Sequence, residues 1–349
     1  MPMRAAIIGT GGIAHTHART LGLLGHEIAL VVGRRAESAR AFGEQYGCKA
    51  YAGCLTEELL AGVDAVHICT PPGNHFPWAA RAIRAGKAVF CEKPLTFSVE
   101  EAEELCRMAE EAGTAAAVDF NNRFYPACGR IRRQLADSGP VELIHGHYRQ
   151  EFEMMPAPWS WRYTDPMRAV TEIGSHFVDL MRFLSGLEAE AVSAVFRTVS
   201  PERCLREGRM YPGGEGEAVT VSNEDAAAVT IKLRGGAVAS VFLSEISPGR
   251  GNDLAIELMT REETLGWHSE DPYCVLSGRK GQGISRLCDP FGGGFSTTFL
   301  DTMAAFYAWA EGGARDSRLA TFRDGLAAVR LCSAMACSAE KGGAFIPVP

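Results

Sequence analysis

Short apolar runs alternate with amphipathic segments over the first third of the chain. The runs are RAAIIG, EIALVV, DAVHICT, KAVFC and TAAAVD, and each has the length and composition of a buried β-strand. Helical periodicity lies between them, for example over residues 37–46 and 98–112. Strands that alternate with helices predict an α/β domain built on a doubly wound parallel sheet.

After about residue 122 the pattern changes. The segment ELIHGHYRQEF predicts one long strand, residues 168–185 predict a helix, and several short strand-like segments lie between residues 189 and 278. Among them, EDAAAVTIKLRGGAVASVFLSE predicts a hairpin around its Gly-Gly pair. Two helices, at about residues 296–312 and 322–341, follow. This pattern predicts an α+β domain with a large, mainly antiparallel, open-faced sheet.

We therefore predict two domains, residues 1–122 and residues 123–349, which fits a chain of 349 residues. The net charge of −7 and the lack of a Lys/Arg-rich block argue against a nucleic-acid-binding protein. No apolar run approaches the roughly 20 residues that span a bilayer. The N-terminus has no signal-peptide layout. These features predict a cytoplasmic protein that binds neither membranes nor nucleic acid.

Cysteine and histidine spacing gives no metal-binding motif. The eleven cysteines are scattered and contain no CxxC pair, and we interpret them as reduced thiols. His145 and His147 would share one face of a strand, but ordinary strand residues explain that spacing equally well. We predict no metal site.

A glycine-rich turn follows the first strand. GTGGIA, residues 9–14, fits the pattern GxGxxA. Gly9 permits a tight turn, Gly11 lets the backbone approach a pyrophosphate, and Ala14 lets the helix pack close to the sheet. Because the helix N-terminus offers free N–H groups to phosphates, the turn predicts a dinucleotide site.

The end of the second strand bears on the choice of cofactor. An acidic residue there would hold the ribose hydroxyls of NAD. Here Gly33 occupies that place, and Arg34 and Arg35 follow. Guanidinium groups suit a 2′-phosphate, so the sequence favours NADP over NAD. A solvated helix start is the alternative interpretation.

Two further strand ends carry candidate chemistry. CTPPGNHF ends the third apolar run in a rigid turn, with Asn74 as a possible helix cap. AVFCEKPL ends the next run with Lys93 between a glutamate and a proline. Both lie at the carboxyl edge of the predicted sheet, where dinucleotides bind. A plain capped turn and a solvent-exposed strand end are the alternatives.

In the second domain, Glu172, His176 and Asp179 are spaced i, i+4 and i+7. On one α-helix all three would project from the same face. A carboxylate one turn from an imidazole can fix its tautomer and raise its basicity. The alternative is a surface stripe or a core histidine held by a neighbour.

These motifs together resemble the Gfo/Idh/MocA family, the glucose–fructose oxidoreductase and inositol dehydrogenase group. The resemblance covers almost the whole chain, through GTGGIA, TPPGNH, CEKP, FNNRFYP, WSWR, EIGSHFVDLMRFLSG and TFRDGLAAVRL. It implies that Lys93 contacts the substrate hydroxyl and that His176 is the catalytic base. The family has an aspartate where this chain has Glu172.

The resemblance also implies a full set of site residues. The implied catalytic residues are Lys93, His176 and Glu172. Cofactor-binding residues are Gly9, Thr10, Gly11, Gly12, Ile13, Gly33, Arg34, Arg35, Thr70, Pro71, Pro72, His75, Glu92, Lys93 and Asn121. Substrate-binding residues are Lys93, Arg123, Trp161, Arg162, Glu172, His176 and Asp179.

The implied activity is reversible hydride transfer between NADP or NAD and a secondary alcohol of a sugar, polyol or related small molecule. The implied assembly is a homodimer or homotetramer formed through the open sheet of the second domain. The resemblance also implies that the second domain binds the substrate. Two other functions remain open. One is a redox-neutral, nicotinamide-dependent cleavage of glycosides, and the other is a regulator that senses dinucleotide without turnover.

Overall fold

The computed structural model describes residues 2–152, 156–158, 161–289 and 293–349. The chain divides into two compact units, Met1–Phe124 with Gly293–Val329 and Tyr125–Gly292 with Arg330–Pro349. A late segment of the chain thus belongs to the first unit. The functional division between residues 122 and 123 stays a prediction.

Parallel strands build the first unit. They are β1 (Arg4–Ile8), β2 (Glu27–Gly33), β3 (Lys49–Ala52), β4 (Ala65–Ile68), β5 (Ala88–Cys91) and β6 (Ala116–Val118). Among the described residues they form one six-stranded sheet in the order β3-β2-β1-β4-β5-β6. This confirms the predicted parallel sheet. The edge strand β3 is additional to the five predicted apolar runs, and its residues are mostly exposed.

Helices connect these strands. They are α1 (Gly12–Leu24), α2 (Ala36–Tyr46), α3 (Glu57–Ala61), α4 (His75–Arg84) and α5 (Val99–Ala112). The start of α5 shows why the helix begins there. The Ser98 hydroxyl accepts a hydrogen bond from the N–H of Glu101, which satisfies one of the free donors of the first turn. Gly113 ends the helix in a left-handed conformation.

The second unit is rich in strands. They are β7 (Leu143–Arg149), β8 (Ala157–Pro158), β9 (Ala189–Arg197), β10 (Glu202–Arg206), β11 (Arg209–Tyr211), β12 (Glu217–Thr220), β13 (Ala226–Leu233), β14 (Val238–Ser244), β15 (Asp253–Met259), β16 (Glu263–His268), β17 (Cys274–Arg279), β18 (Ile284–Cys288) and β19 (Ile346–Pro347). In the described residues, nine of them form one sheet in the order β18-β17-β16-β15-β7-β14-β13-β9-β19. Of the strand pairs that the structure describes in that sheet, β7 and β14 are parallel and the others are antiparallel, so the predicted, mainly antiparallel sheet is confirmed.

The remaining helices are α6 (Pro126–Asp137), α7 (Ser175–Ser185), α8 (Phe295–Ala310) and α9 (Phe322–Glu340). Helix α7 packs directly on β7, because a Cβ added to Gly146 would lie 2.4 Å from the ring of Phe177. The opposite face of this sheet is open and partly apolar. Leu143 is 52% exposed, and Phe242 is 48% exposed.

The structure corrects the prediction for two cysteines. Cys274 and Cys288 are directly opposite each other on β17 and β18 and form a disulfide. The hairpin brings together residues that no sequence motif linked, so the interpretation of all cysteines as reduced thiols is wrong for this pair. The cytoplasmic location stays a prediction. Within the described part of the chain, no helix combines the length and the apolar character needed to cross a bilayer.

Candidate functional site

The glycine turn between β1 and α1 is shaped to receive a phosphate. Gly9 has φ +114°, and a Cβ there would lie 2.5 Å from the carbonyl oxygen of Cys69, so only glycine fits without strain. A Cβ on Gly11 or Gly12 would meet nothing within 4 Å. The first N–H groups of α1 therefore border open space and have no side-chain cap. This arrangement fits the pyrophosphate of a dinucleotide.

The end of β2 lies beside this turn. A Cβ on Gly33 would lie 3.1 Å from the side chains of Thr10 and Ala39, so glycine keeps the two segments close. Arg34 and Arg35 are exposed. No acidic residue ends the strand; the first is Glu37, in the first turn of α2.

The turn after β4 is held from inside the unit. His75 is fully buried, with Nε2 2.8 Å from the carbonyl oxygen of Thr70 and Nδ1 2.9 Å from that of Pro94. His75 thus fastens the TPPGNH turn to the segment that carries Lys93. The hydroxyl of Thr70 is buried and has no hydrogen-bond partner among the described residues. That hydroxyl is available to a cofactor, whereas His75 positions the turn.

Lys93 follows β5 and is half-buried, and the peptide bond between Lys93 and Pro94 is cis. Glu92 accepts a hydrogen bond of 3.2 Å from the N–H of Lys93. The other oxygen of Glu92 lies 3.0 Å from Nε2 of His17. Glu92 therefore links Lys93 to a histidine on α1.

A buried chain of side chains continues from Glu92. Nδ1 of His17 lies 2.9 Å from Nδ1 of His67, and Nε2 of His67 lies 2.7 Å from the hydroxyl of Tyr307. Burial lowers the pKa of His67 well below its usual value, so this ring is neutral. One assignment of the protons satisfies all three contacts. Tyr307 donates to His67, His67 donates from Nδ1 to His17, and His17 donates from Nε2 to Glu92.

Asp119 is a second buried carboxyl group in this region. Its Oδ2 lies 4.0 Å from Nε2 of His17, and neither oxygen has a hydrogen-bond partner among the described residues. Burial, and then the charge of Glu92, raise the pKa of Asp119 well above its usual value, while Lys93 opposes the shift. The uncharged form of Asp119 is therefore favoured. The sequence analysis did not single out Asp119, His17 or His67.

In the second unit, the predicted helix is not α-helical throughout. Val170–Gly174 form a π-helical turn, and α7 begins only at Ser175. That Glu172, His176 and Asp179 share one face stays a prediction. Glu172 forms an ion pair with Arg162, with Oε2 and Nε 2.9 Å apart. Asp179 is buried within α7, at 1% exposure.

His176 lies at the start of α7 and is half-buried. Its ring centroid is 6.2 Å from that of Tyr148. Nearby, Asp165 is a further titratable group that the sequence did not indicate. Burial, and then the charge of Glu172, raise the pKa of Asp165 to about 7, while Arg162 opposes the shift.

The other predicted residues lie in varied surroundings. Arg123 is buried and forms a 3.0 Å ion pair with Asp324. Asn121 donates a 2.9 Å hydrogen bond from its side chain to the hydroxyl of Thr298. The side chain of Trp161 lies outside the described residues. Lys93 belongs to the first unit and His176 to the second, so their action on one hydroxyl stays a prediction.

Comparisons with known proteins agree with this geometry. A family model described as "Oxidoreductase family, NAD-binding Rossmann fold" matches residues 3–120. One described as "GFO/IDH/MocA C-terminal domain" matches residues 133–266. The two matches together extend over most of the chain.

Individual relatives are similar to the chain. Inositol 2-dehydrogenase of Rhizobium meliloti is 27% identical over 347 residues, or 98% of each chain. Levoglucosan dehydrogenase of Pseudarthrobacter phenanthrenivorans is 30% identical over 67% of this chain, and the match spans 62% of that relative's length.

A solved structure of levoglucosan dehydrogenase, in complex with NADH and L-sorbose, has a TM-score of 0.90. It is 24% identical and covers 99% of both chains, so this likeness concerns the fold. With both domain models matched in order and the glycine turn in place, the chain belongs to the Gfo/Idh/MocA family of oxidoreductases.

Proposed function

We propose that this oxidoreductase reversibly oxidises a secondary alcohol of a sugar, a polyol or a related small molecule with NADP or NAD. The observation that carries the proposal is Lys93 beside Glu92 at the end of β5, in the same unit as the open glycine turn. The names of relatives that act on levoglucosan and inositol support the substrate class.

The chain's own residues would divide the work as follows. The N–H groups of Gly12 and Ile13 would bind the pyrophosphate, and the hydroxyl of Thr70 would contact the cofactor. A bound nicotinamide dinucleotide supplies the hydride chemistry. The ammonium group of Lys93 would stabilise negative charge that develops on the substrate oxygen. His176 would take the hydroxyl proton as general base.

Glu172 stands where the family has an aspartate, and its carboxylate forms an ion pair with Arg162. This contact fixes the position of the guanidinium group. We therefore assign the pair a role in orienting substrate hydroxyls, together with Asp165. A carboxyl group with a pKa of about 7 can donate or accept a hydrogen bond near neutral pH.

The proposed function is tested by a screen of sugars and polyols with both cofactors, read at the absorbance of reduced nicotinamide. On the substrate found, Lys93→Ala and His176→Ala should each lower kcat by about 10²–10⁴-fold and leave cofactor affinity nearly unchanged. Lys49→Ala and His145→Ala, at exposed positions of the two sheets, are the controls. Normal turnover by His176→Ala would overturn its role.

The same screen separates the two other functions. A redox-neutral glycoside-cleaving enzyme would release product from a glycoside without net change in nicotinamide absorbance. A dinucleotide-sensing regulator would bind cofactor and turn over none of the substrates.

The proposed cofactor preference is NADP, because Gly33 removes an acidic group and Arg34 and Arg35 are exposed beside it. Replacing both arginines with alanine should weaken NADPH binding selectively, by about 1–3 kcal/mol for each charge-assisted hydrogen bond removed. Fluorescence titration with NADPH and NADH measures this. Tighter binding of NADH by the native chain would reject the preference and leave the dehydrogenase assignment intact.

The proposed assembly is a homodimer or homotetramer through the open face of the large sheet. Exposed apolar side chains there, such as Leu143, Val195 and Phe242, are typical of a surface that a second copy covers. Light scattering coupled to size-exclusion chromatography would give the mass. Phe242→Lys should shift the mass toward that of the monomer.

A further inference from the structure

Three strands of the large sheet bring two histidines and an aspartate together on its open face. His147 on β7 and His268 on β16 both lie opposite Ala255 of β15, one on each side. Asp253 precedes Ala255 by two residues, so its side chain projects from the same face. The small side chain of Ala255 leaves room between the two imidazole rings. These residues have no part in the proposed dehydrogenase chemistry.

The polar atoms of this cluster converge. Nε2 of His147 lies 2.9 Å from Oδ1 of Asp253, and Nε2 of His268 lies 2.5 Å from the same oxygen. All three ligand atoms lie within 4.8 Å of one another. In a tetrahedral zinc site, bonds of about 2.0–2.2 Å hold neighbouring ligand atoms roughly 3.3 Å apart. Side-chain shifts of less than about 1 Å would therefore admit an ion.

The carboxylate is already oriented for this task. Its other oxygen, Oδ2, lies 2.6 Å from Arg149 and 3.3 Å from Arg250, so Oδ1 alone is directed at the histidines. Carboxylate ligands of metals are commonly fixed by such outer contacts.

The histidines have the access that a ligand needs. In the single chain, the side chains of His147 and His268 are 23% and 31% exposed, so an ion can reach the three ligand atoms before a second copy covers this face. A second group of three possible ligands, His17, Glu92 and Asp119, is fully buried and belongs to the hydrogen-bonded chain beside Lys93.

The nearby arginines decide which ion is suitable. Their charges oppose a cation, and Glu270, 3.2 Å from Arg250, offsets only one of them. An ion held mainly by charge, such as Mg²⁺ or Ca²⁺, is therefore disfavoured. Transition metals that bind imidazole strongly are favoured. We propose that His147, Asp253 and His268 form a three-ligand site for a divalent transition metal such as Zn²⁺, which ties β7, β15 and β16 together.

The test is calorimetric titration of Zn²⁺ into the full chain after treatment with chelator. We expect one tight equivalent per chain, and at least about tenfold weaker binding in His147→Ala and in His268→Ala. His145→Ala is the matched control, because His145 lies on the same face of β7 and contacts Ser240 instead. It should bind Zn²⁺ as the native chain does.

Melting curves without metal show whether each variant folds, and His268→Gln replaces His268→Ala if the latter unfolds. Zn²⁺ should raise the melting temperature of the native chain and of His145→Ala but not of His147→Ala. Absence of a tight equivalent would overturn the proposal. So would affinity that survives both His147→Ala and His268→Ala, since the ion would then be bound elsewhere, for example by the exposed thiol of Cys54. Neither result bears on the dehydrogenase assignment.

Discussion

Two aspartates with little exposed area, one in each unit, have pKa values shifted in opposite directions. Asp119 follows β6 and is 3% exposed, while Asp253 begins β15 and is not exposed at all. The pKa of Asp119 is raised by burial and by Glu92, whereas hydrogen bonds outweigh the effect of burial on Asp253 and lower its pKa. A small exposed area is thus compatible with a shift in either direction.

Depth of burial and hydrogen-bond donors together account for the difference. Asp253 lies close to the open face of the sheet; one of its oxygens accepts hydrogen bonds from His147 and His268, and the other pairs with arginines. Asp119 lies deeper in its unit, has no hydrogen-bond partner among the described residues and has a carboxylate for a neighbour. Desolvation penalises a charge at both sites, more strongly at Asp119, and at Asp253 the donors outweigh it. The exposed area alone is thus a poor guide to the direction of a carboxyl group's pKa shift.

The largest expected effect is on stability. Asp253→Asn removes the negative charge that pairs with two arginines. The variant should lose about 2–4 kcal/mol of unfolding free energy, and partial solvation of the arginines limits the loss to this range. Asp119→Asn replaces one neutral group with another of the same shape and should change stability by less than about 1 kcal/mol. Urea unfolding in the presence of chelator measures both. A greater loss in Asp119→Asn than in Asp253→Asn would contradict the comparison.

The pH dependence should be opposite at the two sites. The folded pKa of Asp253 is depressed, so its stabilisation is present above the unfolded value of about 3.9 and is lost as pH falls through the folded value. The folded pKa of Asp119 is raised, so its stabilisation is complete below about 3.9 and is lost as pH rises through the folded value.

Unfolding free energies between pH 3 and pH 9 test this directly. The difference in unfolding free energy between Asp253→Asn and the native chain should become smaller as the pH is lowered. The stability of Asp119→Asn relative to the native chain should increase as the pH is raised. Parallel pH profiles for the two variants would show that both aspartates are in the same charge state.

The smallest effect is expected at Asp165, an intermediate case. Its pKa of about 7 lies above the unfolded value, so its stabilisation is lost as pH rises through about 7. Between pH 5 and pH 8, the unfolding free energy of Asp165→Asn should therefore increase by about 1 kcal/mol relative to that of the native chain. This value is reduced because Asp165 is partly exposed. The exposed Asp137 on α6, changed to asparagine, is the control. A flat difference across that range would place the pKa of Asp165 near its usual value.

Sequence reasoning identified the features that reside in contiguous segments. The strands of the first unit are continuous apolar runs because both faces of a parallel sheet are buried, and the glycine turn is a local motif. The edge strand Lys49–Ala52 was missed because its mostly exposed residues give no apolar run. The strand-rich second unit was predicted from short alternating segments and their glycine turns.

The missed features depend on long-range pairing. His147 joins Asp253 and His268 only through the register of three strands, and Cys274 meets Cys288 only through a hairpin. Spacing directed attention to His145 and His147, but one of them contacts Ser240 instead. At Val170–Gly174 the predicted helix is locally π-helical, a change of helix type that the i, i+4 spacing does not indicate.

The late return of the chain to the first unit has a consequence for synthesis. Helix α8 supplies Phe306, whose ring is 5.1 Å from Phe90, and Tyr307, which completes the buried chain at His67. At a typical rate of translation, about 10–30 s pass while residues 125–292 are made. During that interval the nascent parallel sheet leaves this apolar surface and Nε2 of His67 uncovered. A ribosome-bound chain that stops before residue 293 is therefore the form of this protein that chaperones should recognise most readily.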